Sequence, residues 1–116
     1  GISWDITTVI NTQQKLFESE ERYKLLAENS SDVISVYTQE GICTYISPSC
    51  YQVYGYTPEE MTGKKSLRLI HSNDLEHVTG NNDKLFNSNV PVRYKYRLRK
   101  KNGEYVWMES IAKVIR

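Results

Sequence analysis

With 116 residues, 39% of them apolar and 25% charged, the chain has room for one domain around one core. Fifteen basic residues against fourteen acidic ones leave a net charge of +1, which argues against a general electrostatic pull toward nucleic acid or anionic membrane. There is neither an apolar run of the ~20 residues that span a bilayer nor a secretory signal pattern, so the expectation is a cytoplasmic domain without membrane insertion, whose parent protein is free to be membrane-anchored.

Residues from about Asp5 to Glu28 contain no Gly or Pro and are rich in Gln, Glu, Lys and Leu, which predicts one long polar linker helix. Val9, Leu16 and Tyr23 fall seven apart along it, a thin seam that suits a partner helix in a homodimer. A linker helix packed on its own domain is the alternative. Ser30, Ser31 and Asp32 break the helix. Val33 to Thr38 and Ile42 to Ser47 then read as two strands of a hairpin, turned at Gln39-Glu40-Gly41.

Ser47-Pro48 has the form of a helix start, a capping hydroxyl followed by proline, and predicts a short helix within Pro48–Tyr54. Thr57-Pro58-Glu59-Glu60 repeats the device as a full capping box for a second short helix, Pro58–Met61, ended by Gly63. A longer helix is expected over Asp74 to Asn87, with Glu76 placed for another capping bond and Leu75, Val78, Leu85 and Phe86 as its apolar stripe. Gly80 inside it costs up to ~1 kcal/mol relative to Ala, which close packing or a bound ligand there would explain.

The last stretch alternates strictly: Val92, Tyr94, Tyr96 and Leu98 against Arg93, Lys95, Arg97 and Arg99. A turn at Asn102-Gly103 sends Tyr105 to Ile115 back beside it. A two-residue loop would set Arg97 against Met108. A three-residue loop pairs Leu98 with Val106, Tyr96 with Met108 and Tyr94 with Ser110, and leaves Arg97 beside Trp107 and Lys95 beside Glu109 on the other face. Only the second register keeps charge off the core face, so it is the one predicted, with Gly103 at positive φ.

Catalytic signatures are absent: Gly55, Gly63 and Gly80 are isolated, no serine sits in a nucleophile elbow, and His71 has no nucleophile to pair with. Cys43 and Cys50 lack the spacing of a zinc site, no metal site is expected, and both read as buried thiols. The Arg93/Lys95/Arg97/Arg99 stripe reads as a solvated sheet face or a docking surface with Tyr105, Trp107 and Ile111 as apolar anchors; nucleic acid is not an expected partner.

Several segments resemble the PAS sensory domain with its C-terminal PAC half. They are Ser19 to Tyr23 through Asn29 to Ile34, Tyr45-Ile46-Ser47-Pro48, Gly55-Tyr56-Thr57-Pro58-Glu59-Glu60, Ile70-His71-Ser72-Asn73-Asp74, and Tyr96 to Gly103 followed by Tyr105-Val106-Trp107. The resemblance implies an α+β fold: an antiparallel five-stranded sheet, with short helices on one face and a long N-terminal linker helix. It also divides the chain into residues 1–28, the tail of an upstream module plus linker, and residues 29–116, a PAS/PAC domain lacking its final strand. Gly1 to Thr7 resemble the end of such a final strand. Either they belong to an upstream module, or they, in cis or from a partner, fill the vacant central slot.

The function implied is non-catalytic sensing and interaction within a multidomain signalling protein such as a sensor histidine kinase. The signal would pass through the sheet face and flanking helix, with homodimerisation through the helix or the outer sheet face and contact with adjacent domains. A small-ligand pocket is assigned to Ile34, Val36, Tyr94, Tyr96, Met108 and Ser110; a filled core in a ligand-free interaction scaffold is the alternative. No cofactor is expected. Haem through His77 is disfavoured because that residue lies off the apolar stripe, and flavin photochemistry because Lys64 to Leu69 carries no cysteine.

Overall fold

The computed structural model describes residues 2–8, 32–88 and 90–115. The strands are β1 (Ile2–Thr8), β2 (Val33–Tyr37), β3 (Cys43–Ile46), β4 (Val92–Arg99) and β5 (Tyr105–Ile115). The helices are α1 (Cys50–Tyr54), α2 (Pro58–Met61) and α3 (Leu75–Phe86), with 3-10 turns at Ser66–Leu69 and Ser72–Asp74. The strands form one sheet in the order β3-β2-β1-β5-β4.

β4 and β5 pair antiparallel in the register expected, with Leu98 opposite Val106, Tyr96 opposite Met108, Tyr94 opposite Ser110 and Arg97 opposite Trp107. Gly103 takes a φ of 92°, which a residue with a side chain adopts only at a cost. The first hairpin pairs Val36 with Tyr45 and carries a bulge between Val36 and Tyr37.

β1 fills the vacant central slot in cis, one of the two arrangements expected, and departs from expectation in its direction. It lies between β2 and β5 and runs parallel to both, with Ser3 opposite Val33 on one side and Ser110 on the other. The sheet is therefore mixed, not antiparallel throughout, and Ile2–Thr8 occupy the central slot. Asp5 to Thr8 belong to this strand and not to a helix; Ile6, Thr7 and Thr8 are β-branched, which favours the extended chain. The rest of the expected linker helix, with Val9, Leu16 and Tyr23, lies outside the described residues.

The three helices cover one face. Cys50, Tyr54, Met61, Leu69, Val78 and Leu85 pack there against Val33, Cys43, Ile46, Tyr96, Leu98, Met108 and Ala112. A second, smaller cluster of Ile6, Ile34 and Val36, with Tyr45 against it, forms on the opposite face. No helix among the described residues is long and apolar enough to cross a membrane.

Local devices differ from the expectation in three places. Ser47 does not cap α1, whose N-cap is Ser49 without a side-chain bond. The Ser47 hydroxyl instead accepts from the Ile34 amide at 2.9 Å, while the Ser47 amide donates to the Ile34 carbonyl at 2.8 Å. That stitches the end of β3 to β2, and the buried amide is satisfied where the ladder ends. The Thr57 capping box is present in full, Glu60 N to Thr57 Oγ1 at 3.2 Å and Thr57 N to Glu60 Oε1 at 3.1 Å. Glu76 makes no such bond for α3. The helix is entered through a 3-10 turn, and the Asp74 carboxylate takes the Arg97 backbone amide, Nε and Nη2 at 2.8, 2.9 and 2.9 Å. This clamp fixes the start of α3 to β4 with a charge-assisted, forked bond. Leu75 of the expected stripe is exposed, and an added Cβ at Gly80 would meet nothing within 4 Å, so close packing does not explain that glycine.

Candidate functional site

A cavity of about 160 Å³ lies between the inner face of the sheet and α3. Its apolar wall is Ile46, Met61, Leu67, Ile70, Val78, Leu85 and Leu98. The sheet wall is polar. Ser3, Asp5 and Thr7 of β1 project into it, joined by Tyr37, Tyr54, Tyr94 and Tyr96. Exposed Gln39 and Glu40, from the β2–β3 turn, form part of the rim.

This wall follows from the alternation of β1. Ile2, Trp4 and Ile6 share the outer face with Ile34 and Val36, so Ser3, Asp5 and Thr7 must face the core. An amphipathic strand here buries its polar side, with Ser3 at 1%, Asp5 at 9% and Thr7 at 9% exposure. Such groups need partners. The Ser3 hydroxyl donates to Asp5 Oδ1 at 2.7 Å, and the Tyr96 hydroxyl pairs with Ser110 Oγ at 2.7 Å. Tyr54 is hydrogen-bonded to Ser3, and Tyr37 to Ser35. Three buried serines of the inner sheet face, one each on β1, β2 and β5, thus serve the tyrosine hydroxyls, and of these Ser3 lines the cavity.

Burial pushes the Asp5 carboxyl above the ordinary carboxylate range, and the hydroxyls of Ser110 and Ser3 hold it down only in part. Burial likewise raises Tyr37, Tyr54, Tyr94 and Tyr96, with the Asp5 charge adding to each. Those phenols stay protonated through the physiological range and serve as neutral donors. Burial also lifts the thiols, Cys43 to about 12 and Cys50 to about 11, so both are thiols rather than thiolates. Neither lines the cavity.

Of the residues assigned to a pocket, Tyr94 and Tyr96 line it, and Met108 and Ser110 lie buried on the same sheet face. Ile34 and Val36 do not: they sit on the opposite face with Ile6. The β2 residue that lines it is Tyr37, and Ser35 lies buried on that same inner face, one residue out of phase with the expectation. Asp5, Ser3, Thr7, Tyr37 and Tyr54 were not expected at the site. The signal for β1 was its strict alternation of Ile2, Trp4 and Ile6 with Ser3, Asp5 and Thr7.

On the outer face, Trp107 is 61% exposed and carries the Arg97 guanidinium at 5.2 Å from its ring centroid. Tyr105 and Trp4 are exposed on the same sheet face, whereas Ile111, opposite Trp4 of β1, is buried. Arg93 meets Glu109 at 3.2 Å and Lys95 approaches it at 4.0 Å, so acidic and aromatic residues break the basic stripe. His71 accepts from the Asn73 amide through Nδ1 at 3.0 Å and donates its own amide to the Arg97 carbonyl, a structural role. His77 is exposed, and the described residues contain no cluster of three or more His, Cys, Asp or Glu side chains able to hold a metal.

A sheet of this order, with short helices on one face and a cavity beneath them, defines a small α+β domain architecture, and the comparisons give its family. The model of the PAS fold matches residues 44–116, and the chain belongs to that family. It is 34% identical over 87 residues to the White collar 1 protein of Neurospora crassa, and 36% identical over 87 residues to the blue light receptor lreA of Aspergillus flavus. Each match covers 75% of this chain but only 7% and 10% of those proteins, so the chain spans a tenth or less of their length. Among solved structures, a PAS domain from Colwellia psychrerythraea is similar with a TM-score of 0.65 at 21% identity, covering 82% of this chain and 77% of that one.

Proposed function

We propose that this chain is a non-catalytic sensory domain of a larger signalling protein, which binds a small molecule beneath the sheet and passes the event to the outer sheet face. The observation that carries the reading is the cavity whose polar wall is β1. A ligand that hydrogen-bonds Ser3 or Asp5 touches the strand joining the two hairpins, and Trp4 and Ile6 of the same strand face outward. A change of a few tenths of an ångström in β1 is then felt on both faces, because close-packed elements move as units. Similarity to a protein named as a light receptor supports a sensory role, but two protonated thiols away from the cavity support a chemical rather than a photochemical input. A histidine-kinase effector and a cytoplasmic setting are the context we assign to the parent protein.

The test is direct. The purified chain is denatured and its released small molecules are analysed by mass spectrometry, and two-dimensional NMR follows amides of β1 and β5 during titration of candidate ligands. Binding that shifts cavity residues and also Trp107 and Ile111 is expected. Ligands that shift neither refute the sensory reading. A ligand-free interaction scaffold is the second reading, favoured by the exposure of Trp4, Tyr105 and Trp107 on one face. Sedimentation of the chain and of Trp107→Glu separates it: a dimer lost in the variant supports docking through that face, and monomers throughout argue against it.

A further inference from the structure

The lining of the cavity is unbalanced in charge. Although basic residues outnumber acidic ones in the whole chain, Asp5 and Glu40 line the cavity, and among the described residues no lysine, arginine or histidine does. A carboxyl group inside a core without a cationic partner is expensive to ionise, and a charge of opposite sign placed beside it removes most of that cost. The rings around it are tyrosines, whose faces attract cations once water is excluded. Tyr94 and Tyr96 stand 5.7 Å apart, centroid to centroid, with Asp5 acting electrostatically on both.

We infer that the cavity selects a small organic ammonium ion, held by the Asp5 carboxylate and the tyrosine faces of Tyr37, Tyr54, Tyr94 and Tyr96. The inference rests on the sensory reading above and adds the chemical class of the ligand. Size limits it further. A cavity of about 160 Å³ takes a molecule about as large as benzene, so the ligand is a short-chain or methylated amine and not a polyamine or nucleoside. The Ser3 hydroxyl and four phenols of the lining leave the ammonium few competitors, because these groups, being neutral, add no charge of their own.

Binding of a cation requires Asp5 to be ionised. Its burial disfavours that form, so the ligand takes up the carboxylate state and a proton is released. Affinity for the cation therefore rises with pH through the titration of Asp5 and then levels off. The groups facing Asp5 are Tyr37 of β2, Cys43 of β3, Tyr54 of α1, and Tyr94 and Tyr96 of β4, all of which remain protonated over that range, with Glu40 at the rim.

The experiment uses two probes of nearly the same shape, tetramethylammonium and tert-butyl alcohol, titrated into the chain by calorimetry or NMR at several pH values. Tetramethylammonium is expected to bind about tenfold more tightly than the alcohol, or better, with the margin growing as pH rises. Asp5→Asn, which keeps the size of the side chain and its bond from Ser3, is expected to erase that margin and leave the alcohol unaffected. Glu40→Gln is expected to change little. Equal binding of the two probes by the native chain overturns the ammonium inference while the cavity reading stands. Failure of both probes to enter the cavity overturns the two together. A margin that persists in Asp5→Asn, or vanishes only in Glu40→Gln, also overturns it.

Discussion

Asp5→Asn changes one atom in the centre of the sheet, and its effect on stability depends on pH in a way the structure dictates. In the unfolded chain an aspartate titrates near ~3.9. In the folded chain burial raises that value, and hydroxyls from Ser110 and Ser3 offset it only partly. The folded state therefore holds a proton that the unfolded state has lost. The native chain loses up to ~1.4 kcal/mol of stability per pH unit between the unfolded and the folded titration, and nothing further above it. Below ~3.9 both states are protonated and the penalty is absent. Asparagine has no such proton, and its amide oxygen still accepts from Ser3. The expected result is that Asp5→Asn matches the native chain at pH 3.5 and exceeds it by a growing margin toward neutrality, until the margin becomes constant. Urea denaturation of both proteins at half-unit steps of pH measures this, and other titrations largely cancel in the difference. A margin independent of pH, or a variant less stable at every pH, refutes the view of Asp5 as an uncompensated buried acid.

Other perturbations follow from single contacts. Ser47→Ala removes the acceptor of the buried Ile34 amide and is expected to cost ~1–3 kcal/mol in denaturant unfolding, whereas Ser49→Ala, at a half-buried position, costs less. Gly80→Ala is expected to stabilise by up to ~1 kcal/mol, read as a higher melting temperature, because the added methyl meets nothing. Hydrogen bonds from the Arg97 side chain, then from its backbone amide, hold the Asp74 carboxyl at about 2. The contribution of that clamp is present above the unfolded value and is lost as pH falls through about 2. Asp74→Asn is thus expected to unfold at lower temperature at pH 7 and to show a smaller deficit at pH 2, which melting curves at the two pH values would check.

The C-terminal hairpin was legible because two independent signals agreed there. Alternation marked the faces of β4, and only one loop length kept Arg97 off Met108; the observed pairing follows. The face of β2 was not legible, since Val33-Ile34-Ser35-Val36-Tyr37 is apolar on both sides and has no period to read. Which side met the cavity was decided by the partner strand, through Ile34 beside Trp4 and Ile6. For β1 the central slot was one of the two places expected, but its full extent and its inward polar face were not legible. Its length as a strand was underread because Asp5 onward also suits a helix start, and alternation normally sends the polar side to water. Here the tyrosine hydroxyls of other elements supply partners for that polar side, and no local pattern announces partners so distant in sequence.

The position of β1 bears on how the sheet comes together. β2 with β3 and β4 with β5 are local hairpins, each closed by a short turn, and they touch within the sheet only through β1. β1 is paired to β5 across nearly the whole length of the chain, Ser3 to Ser110, so its docking closes the longest loop in the molecule. Long-range pairing of this kind is slow relative to hairpin formation. The expected order is that the two hairpins form first and β1 docks last. Once in place, its amides are guarded on both edges and exchange with solvent only when the whole sheet opens.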